Sequence, residues 1–568
     1  MREVLNRGYV VFFVVALFIL GVQAPAQESP TVAAMKDEMH RAMTELRMKG
    51  EQQPYFISYE VLDRTIADYS GRLGALVENP PRRTRTLRVE VRVGDYNFDS
   101  SRFLVQGFGQ GGGLIGDTVI APLDDDYDAM RRQIWITTDA AYKRAISMFA
   151  RKKAAFQNRT ASDPLPDFTK EAAVETTLPL LQPSDLNGNS NSAATTRREA
   201  VSRVQQASAV FASTTDVDLS DVGIAQVTGT RYYLNSEGSK TIVPIEMATL
   251  TMFGEAQASD GMPVRETFTL VERTIQEFPA PAQLAQKARE LAANVAAEKS
   301  APIGEEFAGP VLLEGLGSAQ FISETLVPIM QARRPPDAEN PRMMQLTTNP
   351  FLNRTGLRVL ADAFVVSDTP SLKQFEGRNV VGSYVVDDEG VRAKDVTLVD
   401  KGRLVTLLTS RTPQKNFPQS NGHGRAGTVL AGVFQVESTQ AIPAAELKAK
   451  YLALLKAQEK TFGYIVRGVR GDGQAGTGPG IDQVVKVTLD GKEEPVRGLR
   501  FAAVPPTAFR DLSEASKERT MIGYRAGATA AVSVIAPSLI FEELEIQRTR
   551  DILQKPPIVP SPLKSLTP

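Results

Sequence analysis

The sequence predicts an α+β protein, with helix-flanked antiparallel sheets in its N-terminal part and a large β-rich domain in its C-terminal part. Two observations indicate this class. In the N-terminal half, segments that alternate apolar with polar residues, as half-buried antiparallel strands do, are bracketed by amphipathic helices. From about residue 305 onward, short apolar runs separated by Gly, Asp and Asn predominate, which is typical of strands joined by turns.

Length and charge bound the organisation of the chain. With 568 residues it is too long for one ordinary core, so two to four domains are expected. The apolar content of 42% and charged content of 23% are those of a soluble globular protein. A net charge of −1 gives no electrostatic reason to expect nucleic acid or an anionic membrane as partner.

Residues 1–26 are predicted to be a secretory signal peptide. Two arginines lie among the first seven residues, and the apolar stretch 10–22 is short for a membrane span. Ala24 and Ala26 offer a small-x-small cleavage site, so the mature chain is expected to begin at Gln27. An uncleaved anchor is the alternative. No later stretch holds eighteen apolar residues, so we expect an exported protein, periplasmic or secreted, without a membrane span after cleavage.

Residues 27–158 form the first predicted α+β unit. Apolar residues recur at helical spacing over 31–48, two alternating segments follow, and a helix is predicted from about 135 to 157. Residues 159–195 are rich in Pro, Ser, Thr and Asn and are interpreted as a linker on the surface.

Residues 196–304 form a second predicted α+β unit. A helix over 196–211 precedes strands that turn at 235–238, and an alanine-rich helix over 281–298 has proline at its first turn. Residues 305–568 form the β-rich domain, which ends in a proline-rich tail. Its two predicted helices span 319–331 and 444–462.

Two glycine-rich stretches match the pattern G-x-G-x-x-G. They are Gly107, Gly109 and Gly112, and then Gly471, Gly473 and Gly476. A dinucleotide site needs a helix directly after the glycines, to hold the pyrophosphate at its N-terminus. Neither stretch runs into a helical pattern, so hairpin tips are favoured and no cofactor is expected.

Carboxylates cluster at 124–126, 387–389 and 542–543. Hard cations take oxygen ligands from such loops, but none of the three has the spacing of an EF-hand, and solvated turn residues are favoured. No G-x-S-x-G motif supports a serine nucleophile, although a dispersed Ser–Lys pair is compatible with the sequence.

The usual metal ligands and general bases are scarce, since the chain has two histidines and no cysteine. No disulfide or thiolate can therefore form. His423, in QSNGHGRAG, can be a hydrogen-bonded loop residue, a substrate-binding or acid–base group, or a zinc ligand. Zinc is least favoured, because it takes three or four protein ligands. The other histidine, His40, lies on the first helix, and no metal is expected.

Several segments, in order along most of the mature chain, resemble the TldD/PmbA family. They are LRVEVRVGDYNFDSS, NSEGS, GPVLLEGLGSAQFISETLVPIM, VSDTP, DDEGVRAKDVTLVDKGRLVTLLTSRTP, SNGHGRAG, EEPVRG and VSVIAPSLIFEELEI. The family's catalytic members are zinc metallopeptidases, and its PmbA members, also called TldE, lack the metal site. The resemblance implies an N-terminal α+β part, a C-terminal β-rich part and a peptide cleft inside a two-subunit assembly.

The sequence departs from the catalytic members at their zinc ligands. Those members carry H-E-x-x-x-H on the helix that corresponds to SAQFISETLVPIM, and a further cysteine ligand near the C-terminus. With Glu324 at the glutamate position, Ser323 and Pro328 fall at the two histidine positions. A glutamate without a metal has no polarised water to deprotonate. The chain is therefore interpreted as PmbA-like, with no residue assigned to catalysis.

The resemblance leaves three hypotheses. The first is a non-catalytic subunit that binds a peptide or unfolded polypeptide and pairs with a zinc-bearing TldD-like paralogue or a second copy of itself. The alternatives are a peptidase with a non-zinc or partner-supplied site, and an exported scaffold without a proteolytic role. Under the first hypothesis, Ser323, Glu324, His423 and Arg425 line the peptide cleft, with Ser323 and Arg425 as exposed polar positions.

Overall fold

The computed structural model describes residues 29–105, 117–157, 165–180, 191–339, 349–471 and 478–549. The predicted signal peptide, the first glycine-rich stretch, Gly473, Gly476 and the proline-rich tail lie outside the described residues. No helix in the described ranges is long and apolar enough to cross a membrane.

A seven-stranded sheet forms the N-terminal part. The strands up to residue 272 are β1 (Pro54–Arg72), β2 (Ala75–Val93), β3 (Phe103–Leu104), β4 (Asp117–Ile120), β5 (Glu175–Thr177), β6 (Leu219–Asn235), β7 (Lys240–Gln257) and β8 (Pro263–Glu272). The sheet runs in the order β4-β2-β1-β6-β7-β5, with β8 also on β7. Residues 58–71 of β1 pair antiparallel with residues 222–235 of β6. The strands of the two predicted N-terminal units thus join in one sheet.

Four helices cover one face of this sheet. They are α1 (Pro30–Glu45), α2 (Tyr127–Phe156), α3 (Asn191–Ala209) and α4 (Pro281–Ser300). Alternate residues of a strand point to the same face of a sheet. On each of β1, β6 and β7, the apolar residues that pack with the helices are alternate residues and therefore lie on one face. The opposite face is left for the C-terminal part of the chain.

The second helix begins earlier than predicted. The Asp126 carboxylate accepts a hydrogen bond from the Ala129 N–H, which caps α2 at its N-terminus. In the same acidic cluster, Asp125 forms an ion pair of 2.8 Å with the buried Arg85. Two of the three carboxylates at 124–126 are therefore a helix cap and an ion-pair partner.

Residues 165–180 of the predicted linker are anchored at both ends, and residues 191–195 already belong to α3. Phe168 is 3% exposed, and the buried Asp167 forms an ion pair of 2.7 Å with Lys152 of α2. Further along, β5 pairs with β7. Residues 165–180 are thus part of the packed structure.

An eleven-stranded sheet forms the core of the C-terminal part. The remaining strands are β9 (Phe307–Leu313), β10 (Asp337–Ala338), β11 (Phe364–Asp368), β12 (Gln374–Phe375), β13 (Arg378–Asn379), β14 (Val396–Asp400), β15 (Arg403–Leu404), β16 (Gly424–Arg425), β17 (Thr428–Val429), β18 (Val433–Ser438), β19 (Phe462–Arg470), β20 (Gly480–Thr488), β21 (Glu493–Val496), β22 (Leu499–Phe501), β23 (Leu512–Ala526) and β24 (Ala530–Arg548). The pairings β24-β22-β20-β19-β9-β24 close a ring of five strands, and β18, β11, β14 and β15 continue the sheet from β24. Short pairs form between β3 and β10, β12 and β13, and β16 and β17.

Two helices accompany this sheet, α5 (Gly315–Ile329) and α6 (Ala444–Ala457). The prediction for α6 extends too far, because Phe462 begins β19. Phe321 of α5 packs edge-on against Phe501 at 4.9 Å and Phe541 at 5.4 Å between ring centroids. Gly317 lies so close to β19 that a Cβ would be 2.7 Å from the Arg467 carbonyl carbon. The helix is therefore fixed against the ring by its own domain.

The predicted fold class is confirmed, since helix-flanked antiparallel strands precede a β-rich C-terminal part. At the second glycine-rich stretch, β19 ends at Arg470 and β20 begins at Gly480, and the two strands pair antiparallel. The described residues that follow this stretch lead directly into β20 and not into the helix that a dinucleotide site requires.

Candidate functional site

The turn at Asp387, Asp388 and Glu389 connects the C-terminal part to the open face of the N-terminal sheet. Arg231 of β6 lies between Glu60 of β1, at 2.7 Å, and Asp388, at 3.3 Å. The hydroxyl of Tyr233, the next residue on that face of β6, donates to the Glu389 carbonyl. These bonds hold the two parts of the chain together.

The same turn is built on a buried carboxylate. Asp387 is fully buried and accepts hydrogen bonds from the N–H groups of Glu389, Val391 and Gly424. Burial, and then the neighbouring Glu389, raise the pKa of Asp387 well above its usual range. The expectation of a solvated turn is wrong for Asp387, because its oxygens are used to close the turn.

A second buried connection involves Arg411. Its guanidinium donates to Glu237 at 2.8 Å and to the Thr169 carbonyl. The Phe168 ring contacts two guanidinium groups. Its centroid lies 3.9 Å from the Cζ atom of Arg411 and 3.6 Å from the Cζ atom of Arg92. The segment that holds Phe168 is thereby joined to both the N-terminal sheet and the C-terminal part.

His423 is fully buried, and both nitrogens of its ring face oxygen atoms. Nδ1 lies 2.9 Å from Oδ1 of Asn421, and Nε2 lies 3.2 Å from Oδ1 of Asp368. Its ring is edge-on to Tyr384 at 6.1 Å between centroids. Of the three alternatives for His423, this geometry is that of a hydrogen-bonded residue that supports the structure.

Arg425 is only 6% exposed, so the expectation of an exposed position is wrong. Its guanidinium donates to the carbonyls of Ala431 and Ala531, at 3.0 and 2.9 Å, and lies 4.1 Å above the Tyr384 ring. The small exposed part of Arg425 lines a cleft. The tight β16–β17 hairpin carries it to that place.

This cleft, of about 630 Å³, lies between β7 and the loops of the C-terminal part. Its volume is within the range of about 300–1,000 Å³ that is usual for ligand sites. It is lined by Leu178, Arg231, Val243, Pro244, Ile245, Glu246, Met247, Arg273, Pro370, Ser371, Lys373, Asn379, Val381, Ser383, Tyr384, Val385, Val386, Asp388, Arg392, Ala393, Arg425, Thr529, Ala530 and Ala531.

One edge of β7 has no strand beside it in the cleft. On this edge β5 pairs with β7 up to Ile242, and β8 pairs with it only from Ala248 onward. The Leu178 N–H donates to the Ile242 carbonyl, so the backbone of Ile242 faces this edge. Because backbone direction alternates along a strand, Pro244 and Glu246 face it too. Among the described residues, none pairs with residues 243–247 of β7 along this edge.

Ser323 and Glu324 lie apart from the cleft. Ser323 is half-buried on α5 and forms a hydrogen bond with Tyr524. Burial raises the pKa of Tyr524 to about 12. Glu324 is exposed, beside Gly471. Of the four predicted site residues, Arg425 lines the cleft and His423 lies behind it, and the structure does not bring the other two to them.

The residues on α5 do not fit the zinc site of the catalytic family members. At the two histidine positions stand a serine, bonded to Tyr524, and Pro328, which has no ligand atom. Within the described ranges, no group of three or more His, Cys, Asp or Glu side chains is placed to hold a metal ion.

Most residues of the cleft were not predicted from the sequence. Its walls come from distant segments, notably β7, Arg273, Lys373 and Arg392. One signal was available, because Pro244 interrupts an alternating pattern, and proline within a sheet is confined to edges and bulges.

Comparison with known proteins supports the resemblance. A model of the PmbA/TldA metallopeptidase C-terminal domain matches residues 308–548. A protein of Methanothermobacter thermautotrophicus named metalloprotease is 26% identical over 304 residues, which are 50% of this chain and 58% of that relative. The chain therefore spans little more than half of the length of that relative.

Solved structures resemble almost the whole chain. A Thermotoga maritima protein described as a modulator of DNA gyrase has a TM-score of 0.57 and 15% identity, over 91% of this chain and 100% of its own. TldE of Thermococcus kodakarensis has a TM-score of 0.57 and 14% identity, over 90% of this chain and 99% of its own. At such identities these likenesses establish the fold and no activity.

Proposed function

We propose that this chain, which belongs to the TldD/PmbA family, is an exported, non-catalytic subunit that binds an extended peptide for a metallopeptidase-type complex. The observation that carries the proposal is the unpaired edge of β7 inside the cleft. The family relationship supports the link to proteolysis, and the binding itself is argued from the cleft.

The cleft offers the groups that an extended peptide needs. The Pro244 carbonyl and both backbone groups of Glu246 face the gap between β5 and β8. A peptide that adds a strand to such an edge gains main-chain hydrogen bonds without regard to its sequence. Val243, Ile245 and Met247 lie on the cleft side of the sheet and supply apolar contact. The site therefore favours unfolded over folded protein.

A non-catalytic role is supported by the residues that replace the zinc ligands. Ser323 is bonded to Tyr524 and Pro328 offers no side-chain ligand atom, so this helix does not provide the two histidine ligands that a zinc-bound water requires. A zinc-bearing TldD-like paralogue, or a second copy of the chain, would complete the active complex. Pull-down of the tagged protein from the native cell envelope, followed by mass spectrometry, tests this partner and, through the N-terminus found, export with cleavage before Gln27.

Peptide binding is tested with a pair of variants at one residue. Glu246→Pro removes the N–H that faces the cleft, at an edge position where proline is tolerated, whereas Glu246→Ala keeps it. Fluorescence anisotropy with a labelled ten-residue peptide of high β-propensity measures the dissociation constant. We expect Glu246→Pro to weaken binding about tenfold, as the loss of one to two hydrogen bonds does. Glu246→Ala should bind within about twofold of the original chain.

Equal binding by the two variants would overturn the role of the β7 edge. Cleavage of the peptide by the purified chain in the presence of a chelator would instead support a peptidase with a non-zinc site. Thermal melting of both variants serves as the control for folding.

A further inference from the structure

We infer that the cleft selects acidic peptides, with carboxylates that bind at Arg273, Lys373 and Arg392. The inference rests on the proposed function and names the substrate class of the same site. The charge of the cleft walls carries it, because cationic side chains outnumber carboxylates among the lining residues.

Positive side chains outnumber negative ones in the cleft. Five cations, Arg231, Arg273, Lys373, Arg392 and Arg425, face two carboxylates, Glu246 and Asp388. This excess is local, because the whole chain has a net charge of −1.

Most of this positive charge is uncompensated. Asp388 is engaged with Arg231 at 3.3 Å. Among the described residues, no carboxylate lies within 4 Å of the charged atoms of Arg273, Lys373, Arg392 or Arg425. In a partly enclosed, low-dielectric cleft, such an excess attracts anions more strongly than it would on an open surface.

Arg273 is oriented toward the loop that forms the opposite wall. It follows the last residue of β8, and its Nη2 donates to Ser383 Oγ at 2.6 Å. No hydrogen bond to a described residue uses its Nη1 or Nε. A guanidinium held in this way keeps donors that can bind a carboxylate.

Arg425 contributes charge from behind the other groups. It is bound to two main-chain carbonyls and to the Tyr384 ring, and the nearby Asp388 carboxylate offsets only part of its positive charge. Because it is nearly buried, we expect it to act on a ligand mainly through the electrostatic field, whereas the exposed Lys373 and Arg392 can contact the ligand directly.

A peptide fits these groups better than a nucleic acid. The unpaired β7 edge provides alternating main-chain partners, which an extended polypeptide can match and a sugar–phosphate backbone cannot. Alternate residues of a strand point to the same side, about 7 Å apart, so acidic residues at every second position can all face the cations, and the residues between them point to the opposite side of the sheet.

The test compares three labelled ten-residue peptides that share valine and threonine at alternate positions and carry Glu, Gln or Lys at the others. Anisotropy with the mature chain at about 50 mM salt should give at least about tenfold tighter binding of the Glu peptide than of the Gln peptide, and weakest binding of the Lys peptide. At about 500 mM salt, where charges are screened, the three affinities should converge.

The double variant Lys373→Glu, Arg392→Glu should lose about tenfold in affinity for the Glu peptide and keep that for the Gln peptide. Both side chains are exposed and make no hydrogen bond to a described residue, so the fold should tolerate the change. Arg289→Glu is the matched control, since Arg289 is exposed on α4, on the other face of the sheet. It should leave all three affinities unchanged.

Equal binding of the Glu and Gln peptides would overturn the inference and leave the proposed function intact. If none of the three peptides bound, both would fail. An oligonucleotide that displaced the Glu peptide as well as unlabelled peptide of equal charge would also overturn the inference, because it would indicate a general surface for polyanions.

Discussion

The Nε2 atom of His423 lies 3.2 Å from the Oδ1 atom of Asp368, and neither side chain is exposed. Asp368, the last residue of β11, also accepts hydrogen bonds from the backbone N–H groups of Gly432 and Val433. The pair joins the loop that carries Arg425 to the C-terminal sheet. Arg425 thus lies two residues from a buried hydrogen bond that fixes its loop to the sheet.

His423→Ala is expected to lower the free energy of unfolding by about 3 kcal/mol, because a buried carboxylate loses one of its partners. Urea unfolding followed by circular dichroism measures the change. The other histidine is a natural control, since His40 is exposed on α1 and His40→Ala should stay within about 0.5 kcal/mol. Equal effects of the two substitutions would contradict the structural role of His423.

Phe168→Ala is expected to release residues 165–180 from the packed structure. The change removes a buried aromatic ring and its contacts with two guanidinium groups, which together are worth about 3–5 kcal/mol. Limited trypsin digestion should then cut at the exposed Lys170 at least about tenfold faster. Leu180→Ala, at an exposed residue of the same segment, is the control and should digest as the original chain does.

Stability is expected to fall as the pH rises above about 4.5, partly because of Glu266. Burial, and then Asp482, raise the pKa of Glu266 to about 7 from the usual 4.5. The folded chain holds this proton more tightly than the unfolded chain, so the stabilisation is complete below about 4.5 and is lost as the pH passes 7. Burial, and then the neighbouring Glu266, raise the pKa of Glu298 to about 9. Glu298 therefore extends the loss of stability to higher pH.

Glu266→Gln should remove the part of this pH dependence between 4.5 and 7, which is worth about 3 kcal/mol. Chemical unfolding at a series of pH values measures it. The same substitution at the exposed Glu290 of α4 should leave the profile unchanged. A profile that keeps its slope in Glu266→Gln would contradict the assignment.

Chelators are expected to leave the melting temperature unchanged, and the dialysed protein should hold no stoichiometric zinc. The physical reason is the placement of the ligands, since His40 lies on α1 and both ring nitrogens of His423 are engaged. Elemental analysis and thermal melting with and without EDTA measure this. One tightly held zinc ion per chain would refute the argument.

Several features of the fold were predictable because they depend on neighbours in the sequence. The helix that begins at Pro281 was predicted from its alanine-rich pattern and N-terminal proline, and the turn at 235–238 from its Asn and Gly. Where tertiary contacts override local pattern, prediction was less accurate. Asp387 lies in a stretch of sequence that is typical of a solvated turn. In the structure, however, its carboxylate is buried and accepts hydrogen bonds from neighbouring backbone N–H groups.

The fold class, the resemblance to the TldD/PmbA family and the absence of histidines at the zinc-ligand positions could be predicted from the sequence, because they depend on local periodicity, motif order and residue type. The position of the proposed peptide cleft depends on tertiary contacts. The gap beside β7 exists because β5 ends at Thr177 and β8 ends at Glu272, and the cations reach it from Arg273, Lys373 and Arg392. Such a site is a relationship between distant segments, and no single stretch of the sequence contains it.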